Sequence, residues 1–589
     1  MNKVRLDGRR ASLSTAVAAR TPTRAVPSEV GASAPPRSEG DGERRRWFSR
    51  RLRVRFSPTD WFVAALFFSA SVTPSLYPRP RLSQGVLSGI AVALGFGAGR
   101  AASRLLGKVG PGRLPAKVRS ATRITLALVS VAVASWALLL NYHWQVDVRR
   151  LMAIDGSAAL YLASIVPVTL VTGYALVLLA RLVRAGHRGY VRLVWRVVPR
   201  RARGLAHVVV ASLLMVFVLD VVIAGEIVAA VNDRLIAADT SSDPDVRQPH
   251  SRYRSGSPES LVPWDTLGRM GRRFVADEPT VEQLSGYSGT PALPPIRVYV
   301  GLGSAASVRE RADLAVAELE RTGALERDVL TVITPTGTGS VNRHAIAPLE
   351  YMYNGNTAAV AMQYSYLPSW LVMGGNQDRA KVAARTLFDA VARRLEQRPS
   401  SGRPLVLLYG ESLGSFGSEQ IFTGLADIRA HANGVLWVGP PRANRLWREF
   451  TAARDAGSPV WQPVYQGAET VRFGSDGAGL SQPRGRWTAP RVAYLQHASD
   501  PVTWWTPDLL FNRPVWLRDS RPPDISDKMP YVPVVTFVQT TIDLVLGGNA
   551  PLGHGHMFAT EQAEAWALIA PPRGWSPADT TRLLTRLDE

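Results

Sequence analysis

The sequence predicts an α-helical transmembrane bundle of about five spans, followed by an α/β domain with a mostly parallel sheet. Two observations lead to this prediction. Long apolar stretches alternate with arginine-rich loops before residue 232, and strand-like segments alternate with helix-like segments after residue 295. We expect a disordered basic tail at 1–56, a transmembrane domain at 57–232, a linker or wrap at 233–294 and the α/β domain at 295–589.

Five apolar stretches have roughly the length of a membrane span, which is about 20 residues. They are residues 61–76, 86–102, 124–140, 158–182 and 205–231. The first is short and ends at Thr73-Pro74, so its helix is expected to kink or finish early. Five such stretches in succession, separated by basic loops, favour membrane spans over buried helices of a soluble protein.

The distribution of positive charge predicts an orientation. The net charge is +22, and the tail and the loops 100–123 and 181–203 are rich in arginine, whereas the loops 75–85 and 141–157 are poorer. The positive-inside rule places the tail in the cytoplasm, and an odd number of spans places the α/β domain outside it. No basic face interleaved with aromatic residues accompanies this charge, so the expected partner is a membrane and no nucleic acid.

The α/β prediction rests on the order of segments after residue 295. Strands are expected at 296–301, 329–333, 358–364, 404–409, 434–438 and 491–497, and helices at 308–322, 378–395 and from Ser412 to about residue 432. Alternating strands and helices form a largely parallel sheet, whose ligands bind at the carboxyl ends of the strands.

The strongest chemical signal is Gly410-Glu411-Ser412-Leu413-Gly414, which directly follows an apolar strand. This G-x-S-x-G pattern is typical of a nucleophile elbow, a tight strand-to-helix turn that presents a serine hydroxyl above the sheet. Ser412 is therefore the candidate nucleophile of an α/β-hydrolase fold. The chain has no cysteine, which excludes a thiolate nucleophile, a disulfide and a cysteine-ligated metal.

A serine nucleophile needs a base and a group that orients the base, and in this fold they follow in the order acid, then histidine. Asp500 comes just after the strand at 491–497, so it is the candidate acid. The base is expected in Gly553-His554-Gly555-His556. His556 is favoured because Glu561 and a helix follow it, with His554 as the alternative.

The oxyanion of acyl transfer needs two donors. The N–H of Leu413 is the first, and Leu302 or Gly303, in the loop after the first strand, is expected to supply the second, with the glycine-rich loop 334–339 as the alternative. That loop lacks the Gly-Lys-Ser/Thr ending of a nucleotide site. The two histidines have no evident third ligand, so we expect no metal and no cofactor.

Longer strings show a resemblance to a known family. They include Ser71-Val-Thr-Pro-Ser-Leu76, Gln363-Tyr-Ser-Tyr-Leu-Pro-Ser-Trp370, the elbow itself and Gly553-His-Gly-His556. In these the chain resembles the actinobacterial membrane-bound α/β-hydrolase family, whose members combine a multi-span amino-terminal domain with a catalytic α/β-hydrolase domain. The resemblance implies a serine hydrolase with Ser412, Asp500 and a carboxyl-terminal histidine, and it implies no particular substrate.

The sequence therefore leads to two hypotheses. The first is a membrane-anchored serine hydrolase, esterase-like, lipase-like or an acyltransferase, that acts outside the cytoplasm on an ester of an envelope lipid or another apolar substrate. The second is a non-catalytic membrane scaffold or transport component with a degenerate hydrolase fold. Candidate Ser, Asp and His residues in the expected order favour the enzyme.

Overall fold

The computed structural model describes residues 57–109, 115–155, 157–197, 226–369, 377–518, 520–546 and 550–589, with a few single residues between these ranges. The predicted tail at 1–56 and most of the predicted fifth span, 205–231, lie outside the described residues.

The amino-terminal part of the described chain is helical. Its helices are α1 (Pro58–Ser71), α2 (Arg81–Val109), α3 (Ala116–Leu151), α4 (Ala158–Val197) and α5 (Glu226–Thr240). α1 begins with a capping box, in which Ser57 and Asp60 each bind the other's backbone N–H, and with Pro58 in the first turn.

Within the described residues, three segments are long and apolar enough to cross a membrane: Arg81–Leu105, Ser120–Leu151 and Ala158–Arg196. The first predicted span is instead the 14-residue helix α1. At 1.5 Å per residue it extends about 21 Å, which is less than the roughly 30 Å of the hydrocarbon layer. The predicted number of five spans therefore stays a prediction.

Buried polar contacts join the apolar helices to one another. The Ser71 hydroxyl, at the end of α1, donates to the Ser88 hydroxyl of α2 at 3.0 Å, and the Gln84 amide donates to the Ser71 carbonyl at 2.9 Å. The Asn141 amide of α3 donates to the Val72 carbonyl at 2.6 Å. Among apolar helices, which gain little from the hydrophobic effect within a bilayer, such contacts fix the arrangement.

The rest of the described chain builds the α/β domain that the sequence predicts. Its strands are β1 (Ile296–Val300), β2 (Val329–Thr334), β3 (Thr357–Met362), β4 (Leu405–Glu411), β5 (Gly434–Val438), β6 (Val471–Gly474) and β7 (Arg491–Leu495). Its helices are α6 (Gly268–Ala276), α7 (Val281–Ser288), α8 (Val308–Thr322), α9 (Arg343–Met352), α10 (Asp378–Glu396), α11 (Leu413–Glu419), α12 (Leu425–His431), α13 (Arg445–Ala452), α14 (Gly477–Leu480), α15 (Pro501–Trp504), α16 (Val535–Val545), α17 (Glu561–Ile569) and α18 (Pro577–Asp588).

The described strands form one parallel sheet in the order β1-β3-β2-β4-β5-β7-β6. β4, which leads into Ser412, lies in the middle of the sheet between β2 and β5. All strands point the same way, so the loops after β2, β4, β5 and β7 meet at one edge.

Two local expectations differ from the structure. β6 was not expected: it is four residues long and contains Arg472, whose buried guanidinium donates to the carbonyls of Ala468, Leu480 and Gly485. The single helix predicted after Ser412 is divided into α11 and α12 by the residues between Glu419 and Leu425.

The buried side chain of Arg297 attaches the segment 233–294 to the sheet. The Arg297 side chain of β1 donates to both carboxylate oxygens of Glu350, at 2.8 and 2.7 Å, and also to the carbonyls of Phe274 and Glu278. The backbone of Arg297 pairs with Tyr253 and Ser255. One arginine thus links β1, α9 and the wrap that precedes the sheet.

We expect Glu350→Gln to lower the free energy of unfolding by about 3 kcal/mol, because it removes the carboxylate that pairs with the buried Arg297 guanidinium at 2.7 Å and leaves only the more distant Asp277 as a counter-charge. Urea denaturation in detergent, followed by tryptophan fluorescence, measures the loss. The matched control is Glu449→Gln, which breaks an exposed 3.2 Å pair with Arg445 and should change stability little. Equal losses in both variants would contradict the role given to Arg297.

Candidate active site

Ser412 lies in a strained turn between β4 and α11. Its φ of 57° and ψ of −127° place a non-glycine residue in a sparsely populated region, as in a nucleophile elbow. The Ser412 N–H donates to the Val438 carbonyl at the end of β5, at 2.9 Å. A Cβ on Gly414 would lie 2.2 Å from the Thr334 carbonyl oxygen, so a larger residue cannot fit there. The turn is therefore as tight as the motif predicts.

Asp500 and His556 are in direct contact. The Nδ1 atom of His556 lies 2.7 Å from Oδ2 of Asp500, and because a carboxylate only accepts, the ring nitrogen carries the proton. The other carboxylate oxygen of Asp500 accepts the N–H of Val502 at 2.8 Å. Asp500 therefore fixes the orientation of the imidazole, with Nε2 as the nitrogen available to accept a proton.

His556 packs against the end of β5, the strand to which Ser412 is bonded. A Cβ on Gly439, the residue after Val438, would lie 2.6 Å from the Cε1 atom of His556. The Nε2 atom of His556 is buried and has no hydrogen-bond partner among the described residues. In unliganded hydrolases the bond from serine to histidine is often long and tightens when substrate binds.

His554 occupies a different environment. It lies in the turn that pairs with Met557, and its electrostatic neighbours are Asp524, His497 and Glu561 rather than Asp500. Burial lowers the pKa of His554. Of the two candidate bases, only His556 therefore contacts the candidate acid.

A second carboxylate lies close to His556. The Oε2 atom of Glu411 accepts from the Tyr409 hydroxyl at 2.7 Å and from the Asn342 amide at 3.0 Å. Burial raises the pKa of Glu411, whereas Tyr409, His556 and Asn342 oppose that change. Burial lowers the pKa of His556, but the charge of Asp500 and then that of Glu411 outweigh it, so its pKa is raised.

The loop that carries His556 is attached to the loop that carries Asp500. The Gly555 N–H donates to the Ser499 hydroxyl at 2.9 Å, and the Nδ1–H of His497 donates to the Gly555 carbonyl at 3.0 Å. The His497 ring also stacks on Phe558, with centroids 4.2 Å apart. These contacts hold the loop of His556 against the loop of Asp500.

The connection between α1 and α2, residues 73–79, also reaches this loop. The ring of Tyr77 lies 3.7 Å from the position that a Cβ on Gly555 would take, and its hydroxyl donates to the Asp543 carbonyl. Arg79 forms a buried ion pair with Asp543 at 2.7 Å. The apolar helices and the histidine loop are therefore in contact through Tyr77.

The predicted second oxyanion donors stay a prediction, and they follow a strand that is not a neighbour of β4. Leu302 and Gly303 follow β1, and β3 and β2 lie between β1 and β4. The Leu302 N–H is already bonded to Gln363 at 3.2 Å. The alternative loop, 334–339, follows β2 and touches Gly414 of the elbow. Leu413 begins α11, where the first N–H groups have no partner within the helix.

A cleft of about 620 Å³ opens beside the elbow. Its lining includes Phe274, Thr336, Asn342, Arg343 and Glu411, so it joins the residue before Ser412 to the loop after β2. Within the described residues, no group of three or more His, Asp or Glu side chains could hold a metal ion.

Sequence reasoning missed Glu411, Asn342 and Gly439. Glu411 lies inside the elbow motif and Gly439 directly follows a predicted strand, so their positions in the sequence could have marked both as residues near the site. Asn342 had none, because its contact with Glu411 depends on how α9 packs.

Two family models match the chain. Residues 296–583 match a model described as an alpha/beta-hydrolase family, and residues 72–279 match the model of the N-terminus of that family. No curated protein and no solved structure matches the chain significantly.

We expect Glu411→Gln to lower the pKa of His556, because it removes a negative charge that favours the imidazolium. The rate at which a fluorophosphonate probe labels Ser412 should fall as His556 becomes protonated. The pH at which this rate is half of its maximum should therefore be lower in the variant than in the wild type, and the pH profile of labelling measures this midpoint. Glu449→Gln, which removes a distant exposed carboxylate, should leave the midpoint unchanged. A midpoint that moves upward in Glu411→Gln would contradict this assignment.

Proposed function

The chain belongs to an α/β-hydrolase family, and on that basis we propose that it is a membrane-anchored serine hydrolase. The observation that carries this proposal is the 2.7 Å contact of His556 with Asp500, beside an elbow that holds Ser412 in a strained conformation. Three helices of spanning length among the described residues support the membrane anchor. The substrate we propose is an ester of an envelope lipid or another apolar molecule.

In the proposed reaction the Ser412 hydroxyl attacks the ester carbonyl carbon while Nε2 of His556 takes its proton. Asp500 stabilises the imidazolium, and the Leu413 N–H, together with a donor from the loop 334–339, stabilises the oxyanion. His556 then protonates the leaving alcohol, and the acyl group stays on Ser412. Water completes hydrolysis by the same steps in reverse, and a second alcohol completes transacylation.

The surroundings of the elbow suit a substrate with both polar and apolar parts. Charged and amide side chains, including Arg343 and Asn342, line the cleft beside Glu411. On another side of the site, residues 73–79 connect the histidine loop to the apolar helices. A lipid ester would have its polar part in the cleft and its chain toward those helices.

We expect Ser412→Ala to abolish fluorophosphonate labelling, since it removes the attacking oxygen. Asp500→Asn should lower kcat about 10⁴-fold on a p-nitrophenyl ester, because the imidazole loses its orienting partner. The matched control is His554→Gln, which should retain most activity, whereas His556→Gln should not. Wild-type protein that is folded but neither labelled nor active would instead support the non-catalytic scaffold.

We also propose that the catalytic domain lies outside the cytoplasm. Alkaline phosphatase fused after Glu589 should then be active, because it folds only outside the cytoplasm, and β-galactosidase fused at the same place should be inactive. The opposite pair of results would reverse the orientation without affecting the proposed chemistry.

A further inference from the structure

Helix α16 is arranged in the opposite way to a helix on the surface of a soluble protein. Its buried side chains are all polar, namely Thr536, Gln539, Thr540 and Asp543. Its exposed side, by contrast, carries valines at 538 and 545, with Val534 at the helix start. Positions 538 and 545 are seven residues apart, so they lie on one face of the helix, and Val534 directly precedes its first residue.

The polar face of α16 binds the connection between α1 and α2. Asp543 accepts from the Ser75 hydroxyl and forms its ion pair with Arg79. The Gln539 amide donates to the Thr73 carbonyl and hydroxyl, both at 3.0 Å. These groups are satisfied by the segment that joins two apolar helices, and so α16 is fixed beside the ends of those helices.

The valine face has no such partner among the described residues, and it continues beyond the helix. Val534 donates its N–H to the Leu510 carbonyl at 2.9 Å, which places it beside Phe511, whose side chain is 75% exposed. An apolar face of this kind is unfavourable in water. Helices inside a bilayer show the same pattern as α16, with polar side chains toward protein and apolar side chains toward lipid.

The length of α16 limits how it can meet a bilayer. Its 11 residues extend about 16 Å, roughly half of the hydrocarbon thickness. A helix of this length cannot span, but it can enter the apolar layer from one side or lie along its boundary. Residues 73–79, to which it is bonded, lie at the end of α1 and the start of α2, where such a boundary is expected.

We propose that α16 is a lipid-facing helix of the catalytic domain, with Val534, Val538 and Val545 against the acyl chains of the bilayer. The inference rests on the membrane anchor proposed above. It deepens that proposal, because Asp543 of α16 is bonded to Tyr77, which packs beside Gly555 and hence next to His556. The candidate base is thereby placed close to the lipid from which an apolar ester would come.

The absence of cysteine allows a direct test in the full chain. Single-cysteine variants are labelled with a small fluorophore in phosphatidylcholine vesicles, and quenching is compared for brominated acyl chains and aqueous iodide. Val538→Cys is the test, and Val545→Cys is a second site on the same face. Leu128→Cys, in the Ser120–Leu151 segment, reports lipid, and Val382→Cys, on α10, reports a surface distant from α16.

All three positions are exposed in the protein: Val538 is 39% exposed, and the controls Val382 and Leu128 are 50% and 65% exposed. We expect labels at 538 and 545 to be quenched by brominated lipid and protected from iodide several-fold relative to the label at 382. If iodide quenches the labels at 538 and 545 but not the label at 128, the inference about α16 is overturned, whereas the proposed membrane anchor is not. Iodide access at 128 would overturn the anchor itself. Protection from both quenchers at 538 and 545 would indicate a second protein copy on this face and also overturn the inference.

Discussion

The buried ion pair between Arg79 and Asp543 joins the two halves of this protein. Arg79 also donates to Gln84 of α2 and to the Gln539 carbonyl of α16, so one side chain links an apolar helix to the α/β domain. A buried pair of this kind is costly to break, because either partner alone leaves an uncompensated charge. Separating the apolar helices from the α/β domain would therefore break this buried ion pair.

The candidate site depends on the same connection. Gly555 is bonded to Ser499 and His497 on one side, and the ring of Tyr77 closes the other. The position of His556 is thus determined by two loops of the sheet and by a segment from the apolar helices. Its electrostatics likewise come from two carboxylates rather than one, with Asp500 making the hydrogen bond and Glu411 adding charge from the elbow.

The sequence predicted what is local and not what depends on packing. The helix at 308–322 and the strand at 434–438 have the expected bounds, since each has a clear period or a continuous apolar run. Ser412, Asp500 and His556 were proposed from a motif and an order along the chain, and their catalytic roles stay a prediction. The distance of Leu302 and Gly303 from the elbow depends on the order of the strands in the sheet, which the local sequence does not determine: β3 lies between β1 and β2.

The burial of Ser412 has a consequence for what the proposed enzyme would make. Only 3% of this residue is exposed, so bulk water has little direct access to Ser412. In the proposed enzyme, the lifetime of an ester on Ser412 would then depend on which hydroxyl compound can reach the site. An alcohol arriving from the lipid would compete there with water. The acyl group on Ser412 would thus pass either to water or to an alcohol. The outcome would depend on which of the two reaches the site after the first product has left.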